Sequence, residues 1–352
     1  MLAARIYQAQ TLRVENTHKP QIESDDHVLV KVAAAGICGS DLHVYRTGAY
    51  LTRTPITMGH EFSGQVTSTG SRVSDFHIGD HVVGDSRVWC GHCSHCQKGQ
   101  FNFCESLGFL GEVCEGAFAE EIVVPSRNLV RINAAVPAHV AVLAEPLAVA
   151  LHAVHRAEIS RTGGRILILG AGPIGALIST VLRIQKIQDV TIVDTSACRR
   201  EIVAAAGGDT RVLASPDGSY DLIFETTGSP EVVRNVIPRN LAKGRQVVMV
   251  GLFGRDTPFN FTDLVEHEWD FKGCACFDTE LPEAVTLLER HRESFTHLVS
   301  CVPLTSAQNA FDQLLGPEKD ALKTVLIPPA MDNPGAFQTA NPAATPAGPH
   351  FT

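Results

Sequence analysis

The chain has 352 residues, of which 44 % are hydrophobic and 19 % are charged. This length exceeds what one compact core usually holds, and the composition is that of a globular protein, so we expect two domains. The formal net charge of −9 argues against a nucleic-acid-binding surface and favours a small-molecule partner. We find no apolar run of the ~20 residues that cross a bilayer and no signal peptide, so we expect no membrane contact and a cytoplasmic location.

The first part of the chain, residues 1–151, predicts a β-rich domain, because short β-branched runs end at glycine or aspartate. From residue 152 to 287, strands alternate with helices, which predicts a parallel sheet built from βαβ units. Residues 288–327 carry a final strand that we expect to rejoin the first domain. The last 25 residues, 328–352, are rich in proline and small residues and predict a flexible tail without a catalytic part. The predicted strands are 28–32, 62–66, 81–84, 165–169, 190–193, 221–224, 246–250 and 322–327, and the predicted helices are 174–186, 197–206 and 282–290.

A glycine-rich motif follows the strand predicted at 165–169 and opens a helix. Gly170, Gly172 and Gly175 match G-x-G-x-x-G, with Pro173 and Ile174 between the last two glycines. In this context the first glycine allows a tight turn, the second lets a pyrophosphate approach the backbone, and the third lets the helix pack on the strand. The free N–H groups of the helix N-terminus would face the phosphates, so the motif predicts a dinucleotide site.

The next strand ends at Asp194, about twenty residues beyond the motif. A carboxylate here accepts hydrogen bonds from the adenosine ribose and repels a 2′-phosphate, which favours NAD over NADP. Arg199 would reach the same ribose, although a solvated surface role explains it equally well. The alternative for Asp194 is a helix cap near Ser196.

Four cysteines lie close together in the pattern C-x₂-C-x₂-C-x₇-C. Thiolates at this spacing can close a tetrahedron around Zn²⁺, which leaves no open position and predicts a structural site. An iron–sulfur cluster is the alternative, but there a proline usually follows the fourth cysteine, whereas Glu105 follows it here. The four cysteines are Cys90, Cys93, Cys96 and Cys104.

A catalytic zinc site needs three protein ligands and one open position. Cys38, His60 and Glu145 have the right chemistry, but an isolated cysteine is more often a core residue, and an isolated histidine is more often structural. Spacing alone does not unite residues so far apart in the sequence.

The chain resembles the zinc-containing medium-chain dehydrogenases over roughly residues 1–327. The matching motifs are, in chain order, GICGSDLH, GHE, the four-cysteine segment, EPLAVALHA and GAGPIG. Within this family the segment EPLAVALHAVH is similar to the sequences of the polyol branch, which includes sorbitol and L-idonate 5-dehydrogenases. The resemblance implies an α/β fold with a GroES-like β-rich catalytic domain and a Rossmann domain, and an active site in the cleft between them.

The resemblance also implies the catalytic zinc ligands. Cys38 and His60 would bind the metal, and Glu145 would supply a carboxylate, either as a direct ligand or through water. Glu61 would be an alternate ligand that exchanges with water or substrate. The cofactors would be one catalytic zinc, one structural zinc and NAD.

Two further residues acquire roles from the same resemblance. Ser40 would contact the alcohol oxygen, and His43 would pass the proton towards solvent. The alternatives are a turn residue for Ser40 and an exposed side chain for His43.

The substrate is less closely defined than the chemistry. Sorbitol-type enzymes place a tyrosine where this chain has Val44, and an Arg-Tyr pair where it has Cys276 and Phe277. Buried hydroxyl groups need polar partners, so we expect a less hydroxylated or bulkier secondary alcohol than sorbitol.

Two other functions stay open. The same fold could act on an amino-alcohol or an aldehyde, or the chain could be a non-catalytic nucleotide-binding protein, which the presence of Cys38, Ser40 and His60 disfavours. We expect a homo-oligomer, with a tetramer favoured over a dimer.

Overall fold

The computed structural model describes residues 1–159, 164–206, 210–316 and 321–329. Within these residues the chain forms two large sheets, of seven and six strands, and two smaller ones. The predicted tail lies outside the described residues from residue 330 onward.

The seven-stranded sheet belongs to the β-rich part of the chain. Its strands follow the order β10-β6-β5-β3-β18-β17, and β9 pairs with β3 beyond that path. Along β3 buried and half-buried residues alternate, so one face of the strand packs on a core. The strands of the β-rich part are β1 (Leu2–Gln8), β2 (Thr11–Asn16), β3 (His27–Gly36), β4 (Ile56–Thr57), β5 (Glu61–Thr69), β6 (His81–Gly84), β7 (Arg87–Val88), β8 (Gly108–Phe109), β9 (Glu121–Pro125), β10 (Leu129–Arg131), β17 (Val299–Pro303) and β18 (Lys323–Ile327).

The six-stranded sheet is parallel throughout and has the order β13-β12-β11-β14-β15-β16. This is the doubly wound order: the sheet is first extended on one side of β11 and then on the other. The change of side leaves a crevice beside β11. The interior strands β11 and β12 are buried at every position, as expected for strands covered on both faces. The strands are β11 (Ile166–Leu169), β12 (Val190–Val193), β13 (Arg211–Leu213), β14 (Tyr220–Glu225), β15 (Leu241–Met249) and β16 (Asp270–Gly273).

The helices cover the sheets and link the two parts. The helical run from Ala138 to Arg156 is long and apolar enough to cross a membrane by length and composition, but 72 % of it is buried inside the protein. It is therefore a core helix of the fold. The helices are α1 (Gly39–Thr47), α2 (Ala138–Ala141), α3 (Ala144–Arg156), α4 (Pro173–Ile184), α5 (Ala197–Ala205), α6 (Ile237–Asn240), α7 (Phe261–Glu266), α8 (Leu281–His291), α9 (Glu293–Thr296) and α10 (Ala307–Leu315).

The C-terminal strands return to the first sheet. Strand β18 pairs antiparallel with β3, where Val325 lies opposite Gly36. The predicted domain limits at 151/152 and 287/288 fall within the helices α3 and α8, so the chain has no loop at either point. The division into two domains at these residues stays a prediction.

Candidate active site

The first turn of α1 places Cys38 and Ser40 at the centre of the site. Cys38 precedes the helix, and its backbone N–H donates to the carboxylate of Asp41 at 2.8 Å. A side-chain acceptor at this helical position satisfies an N–H group at the helix start and fixes the entry of the chain. The Cys38 thiol therefore has a defined position beside β5.

His60 lies immediately before β5 and is 5 % exposed. Its Nδ1 lies 3.4 Å from Asp41 Oδ1, and its Nε2 lies 3.5 Å from Ser40 Oγ. Burial lowers the pKa of His60, but the carboxylate of Asp41 outweighs it and holds the pKa well above its usual value. Asp41 thus orients the ring and directs Nε2 towards Cys38 and Ser40.

Glu61 is fully buried and forms an ion pair with Lys323. Burial lowers the pKa of Lys323, but Glu61 and Cys38 outweigh it and raise the pKa. The pairing of β18 with β3 brings this lysine to the site, and a Cβ on Gly36 between the strands would collide with Glu61. Glu61 Oε1 has no hydrogen-bond partner among the described residues and is free to bind another group.

Donor atoms of Cys38, His60 and Glu61 all lie within 4.8 Å of one another. Glu145 does not belong to this group by distance, and its Oε1 accepts a hydrogen bond of 2.6 Å from the hydroxyl of Ser86. Burial raises the pKa of Glu145 to about 7. The direct and the water-mediated role expected for Glu145 both stay predictions.

His43 lies one helical turn after Ser40 and stacks loosely on Tyr50, with ring centroids 5.8 Å apart. Tyr50 is 68 % exposed and has a left-handed backbone with φ of +67°. The described part of the chain shows no hydrogen bond between Ser40 and His43. A proton relay between them would need a water molecule or a hydroxyl group of a ligand.

The structure corrects the substrate argument drawn from three positions. Val44 is 1 % exposed in the core of the β-rich part, and Phe277 is fully buried beneath Arg87, whose guanidinium carbon is 4.1 Å from the ring centroid. Neither side chain can line a substrate pocket. Only Cys276 is partly exposed, and burial raises the pKa of its thiol to about 11.

The glycine motif forms the turn between β11 and α4. Gly170 has a left-handed backbone with φ of +102°, and a Cβ on Gly175 would overlap the Gly170 carbonyl oxygen. A Cβ on Gly172 would meet only the guanidinium of Arg199, at 3.8 Å. The second glycine therefore leaves the backbone open to a ligand, as expected of a phosphate-binding turn.

Asp194 lies beside this turn, and both its oxygens accept backbone hydrogen bonds, from Ala171 at 2.8 Å and from Ser196 at 2.8 Å. The cap of α5 is Ser196, which corrects the alternative reading of Asp194 as the helix cap. Arg199 Nη1 is 3.9 Å from Asp194 Oδ2. Both residues therefore lie at the mouth of the glycine turn.

The four cysteines predicted to bind zinc come together. Their sulfur atoms all lie within 4.8 Å of one another, and Cys104 Sγ is 3.6 Å from Cys90 Sγ. Backbone N–H groups of Cys96 and Glu105 lower the pKa of the Cys93 thiol to about 6, which favours the thiolate that zinc binds. The small apolar cluster around Trp89 includes Cys96 and Cys104 and supports the segment.

Both metal sites fit zinc by donor chemistry. Four thiols around one point match a closed structural site, and a thiol, an imidazole and a carboxylate with a free oxygen match an open catalytic one. The open glycine turn fits a dinucleotide. These features define the class of the protein as a zinc-containing, nicotinamide-dependent dehydrogenase.

Comparison with known proteins agrees with this class. Residues 24–134 match the alcohol dehydrogenase GroES-like domain. The chain is 35 % identical over 272 residues to the L-threonine 3-dehydrogenase of Streptomyces avermitilis, covering 72 % of this chain and 78 % of the relative. It is 33 % identical over 288 residues to the D-altritol 5-dehydrogenase of Agrobacterium fabrum, covering 78 % and 84 %. The sorbitol dehydrogenase of Bacillus subtilis is 28 % identical over 347 residues, covering 93 % and 97 %.

Solved structures extend the similarity over the whole fold. L-idonate 5-dehydrogenase from Escherichia coli superposes with a TM-score of 0.83 at 28 % identity, covering 93 % of this chain and 97 % of the other. A structure from Sinorhizobium meliloti, described as a zinc-binding dehydrogenase and bound to NADP, gives 0.83 at 28 %, covering 93 % and 99 %. The chain belongs to the zinc-containing medium-chain dehydrogenases and, within them, to the polyol branch.

Four residues of the site are missed by the motif analysis. Asp41 lies inside the GICGSDLH motif, directly after Ser40, so the motif itself could have marked it. Ser86, between β6 and β7, and Lys323, at the start of β18, reach the site through the pairing of distant strands, and Glu112 follows β8, where Phe109 lies 6.5 Å from His60 between ring centroids. No local pattern marks these three.

Proposed function

We propose that this protein is a zinc-dependent dehydrogenase that transfers a hydride between a secondary alcohol and NAD, giving the ketone. The substrate class is a polyol, a sugar-derived alcohol or a cyclic alcohol. The observation that carries the proposal is the group of Cys38, His60 and Glu61, with Ser40 at the imidazole. The names of the polyol-branch relatives support the substrate class.

Each residue of the candidate site has its own role in the proposed reaction. Cys38, His60 and Glu61 would hold a zinc ion, with Glu145 close by, and the ion supplies a Lewis acid that polarises the substrate oxygen. Ser40 binds and orients the substrate hydroxyl. His43 takes the proton from that side and passes it towards solvent at the surface near Tyr50.

The cofactor is bound at the turn between β11 and α4. Gly170, Gly172 and Gly175, with Pro173 and Ile174 at the helix start, would hold the pyrophosphate, and Asp194 with Arg199 would receive the adenosine ribose. The carboxylate of Asp194 supports NAD over NADP, although one similar structure holds NADP.

A second candidate is the oxidation of an amino-alcohol. It is favoured by the similarity to L-threonine 3-dehydrogenase, which has the highest identity among the relatives described above. The coverage by sorbitol dehydrogenase is wider, so the polyol assignment is preferred.

We also propose a cytoplasmic homo-oligomer, a tetramer rather than a dimer, built from the two domains expected from the sequence. Two features support assembly. Strand β16 is an edge that pairs only with β15 among the described strands, and Leu252, Phe261 and Val265 are exposed apolar residues, at least 71 % accessible.

The test is the formation of NADH from NAD with a panel of polyols, sugar acids, cyclic and aliphatic secondary alcohols, and amino-alcohols. We expect turnover on the polyols and sugar-derived or cyclic alcohols, abolished by a zinc chelator and restored by zinc. Turnover confined to amino-alcohols would favour the second candidate, and NADH binding without turnover of any alcohol would contradict both.

Zinc content separates the two metal sites in the same experiment. We expect two zinc ions per chain, and one in each of the variants Cys38→Ser and Cys104→Ser. Cys38→Ser should lose activity and keep its thermal stability. Cys104→Ser should not show this combination. Cys301→Ser, at an exposed cysteine outside both groups, is the matched control and should keep both ions.

A further inference from the structure

The acidic groups of the active site are nearly all occupied by the protein. Asp41 accepts from the backbone of Cys38 and faces His60, Glu61 pairs with Lys323, and Glu145 accepts from Ser86. These three carboxylates are at most 6 % exposed. Each of these three carboxylates has at least one partner within the protein.

A fourth carboxylate, Glu112, reaches the same site from a different segment. Its backbone N–H donates to Phe109 O at 3.1 Å, and the Phe109 ring centroid is 6.5 Å from that of His60. The preceding residue, Gly111, packs so closely on the backbone of Gly59 that a Cβ there would collide with it. The loop that carries Glu112 is therefore held against the segment that carries His60.

The side chain of Glu112 interacts electrostatically with His60 and Asp41, which places its charge close to the candidate metal site. Burial raises the pKa of Glu112, and His60 opposes that shift. The residue is half-buried, and its carboxylate has no hydrogen bond or ion pair in the part of the chain that the structure describes. By contrast, the nearby Glu115 pairs with Arg53 at 3.0 Å and accepts from the backbone of Thr57.

The loop after α1 lies against the loop that carries Glu112. The backbone N–H and the hydroxyl of Thr52 both donate to the carbonyl oxygen of Glu112, so the two loops are joined. Two residues before Thr52 is Tyr50, whose ring lies against His43. The unpaired carboxylate of Glu112 thus belongs to a pair of hydrogen-bonded loops. The same loops lie beside His43, the proposed proton relay.

We infer that Glu112 determines the substrate class: its carboxylate accepts a hydrogen bond from a hydroxyl or ammonium group of the substrate and repels substrates with a carboxylate or phosphate. The inference rests on the dehydrogenase function proposed above and narrows it. A half-buried acceptor without a protein partner gains most from a donor on the ligand, and a like charge at short range disfavours binding. Sugar acids and sugar phosphates are thereby excluded, and neutral or amino-substituted alcohols are selected.

The experiment compares kcat/KM for a polyol, the aldonic acid of the same length and the corresponding amino-polyol. We expect the wild-type protein to prefer the polyol or the amino-polyol over the acid by about tenfold or more. The variant Glu112→Gln, which keeps size and an acceptor oxygen, should lose most of this preference. A larger loss on the amino-polyol than on the polyol would identify an ammonium as the preferred donor.

The matched control is Glu115→Gln, which removes one negative charge from the same loop at a carboxylate that is already paired. It should leave the ratio of polyol to acid unchanged. An equal ratio in wild type and Glu112→Gln, with the polyol turned over, would overturn the inference and leave the proposed function standing.

A binding measurement keeps the inference testable if no alcohol is oxidised and the proposed function itself fails. The probes are butyramide and butyrate, a neutral and an anionic ligand of the same size, titrated into the protein–NADH complex and followed by nicotinamide fluorescence. Glu112→Gln should tighten butyrate relative to butyramide by about tenfold. An unchanged ratio would overturn the inference by itself.

Discussion

At the scale of single residues, the buried ion pair of Glu61 and Lys323 is the feature of the site that depends most on both partners being present. Both side chains are at most 2 % exposed, and each carries a charge into the interior. Burial of two charges is compensated only while both partners are present, so removing one leaves an isolated charge. The pair therefore ties the C-terminal strand to the metal site by electrostatics as well as by strand pairing.

We predict that Lys323→Met lowers the free energy of unfolding of the zinc-free protein by about 3–5 kcal/mol. The reason is that Glu61 remains buried without its cation. The double variant Lys323→Met with Glu61→Gln should recover much of the loss, as urea denaturation would measure. Equal destabilisation in the single and the double variant would show that packing of the lysine, and not its charge, is what matters.

At the scale of elements, the glycines of the β11–α4 turn have separable roles. Gly175 is needed for contact between helix and strand, since a side chain would overlap Gly170, whereas Gly172 has free space above it. We predict that Gly175→Ala lowers both the melting temperature and NADH affinity. Gly172→Ala should keep the melting temperature and weaken NADH by about tenfold or more, equivalent to about 1.4 kcal/mol.

The measurements are thermal denaturation and a fluorescence titration with NADH. A suitable control is Gly273→Ala, in the edge strand β16, where an added Cβ would meet no atom within 4 Å. A normal NADH affinity in Gly172→Ala would contradict the proposal that pyrophosphate lies against this glycine.

One carboxylate, that of Glu280, links α3 to the start of α8 in addition to their apolar packing. Glu280 Oε1 accepts from His152 Nδ1 at 2.9 Å and lies 3.3 Å from His155 Nδ1, while its Oε2 accepts from the backbone of Asp278. Burial raises the pKa of Glu280, but these partners outweigh it and lower the pKa to about 2. Because the folded-state pKa lies below the usual 4.5, the contribution to stability is complete above pH 4.5 and falls as pH drops towards 2.

We predict that Glu280→Gln lowers the free energy of unfolding by about 2 kcal/mol at neutral pH, as expected for hydrogen bonds to a charged group. The difference from wild type should shrink once pH falls below about 4.5, as urea denaturation at several pH values would measure. Glu293→Gln, at an exposed carboxylate of the next helix α9, is the control and should have a small effect. A difference that is independent of pH would contradict the electrostatic origin.

Elements with a strong periodic pattern could be predicted from the sequence, and long-range contacts could not. The strands expected at 190–193 and 81–84 have the bounds of β12 and β6, because buried β-branched runs bounded by glycine or aspartate have few alternatives. The helix 39–47 was missed, since its mean hydropathy is low and its start at Cys38 lacks a usual cap residue. Residues such as Ser86 and Lys323 reach the site only through sheet pairing, which local patterns do not encode.

The same limit explains the error in the substrate argument. Motif alignment places Val44 and Phe277 beside known pocket positions, but it does not show which way a side chain points. In the structure α1 turns Val44 into the core, and Arg87 covers Phe277. Substrate specificity depends on such orientations, so it has to be argued from the loops that carry Glu112 and Tyr50.

At the scale of the whole molecule, three of the most exposed apolar residues belong to the part of the chain that forms the parallel sheet. Phe261 and Val265 of α7 are each 71 % exposed, and Leu252 is 80 % exposed. Next to them lies an apolar cavity of about 390 Å³ lined by aromatic residues including Trp269 and Phe271, beside the edge strand β16. An edge with free N–H and C=O groups next to apolar side chains is suited to pairing with a second copy of the chain.

We predict that the wild-type protein sediments as an oligomer and that the double variant Phe261→Glu with Val265→Glu shifts it to a smaller species. Two charges on this surface would have to be desolvated on assembly, which opposes burial of the interface. Analytical ultracentrifugation measures the change, and Ile78→Glu, at an apolar residue that is 73 % exposed elsewhere, is the matched control. A monomeric wild type would contradict the proposed oligomer, whereas an unchanged mass in the double variant would place the interface on another surface.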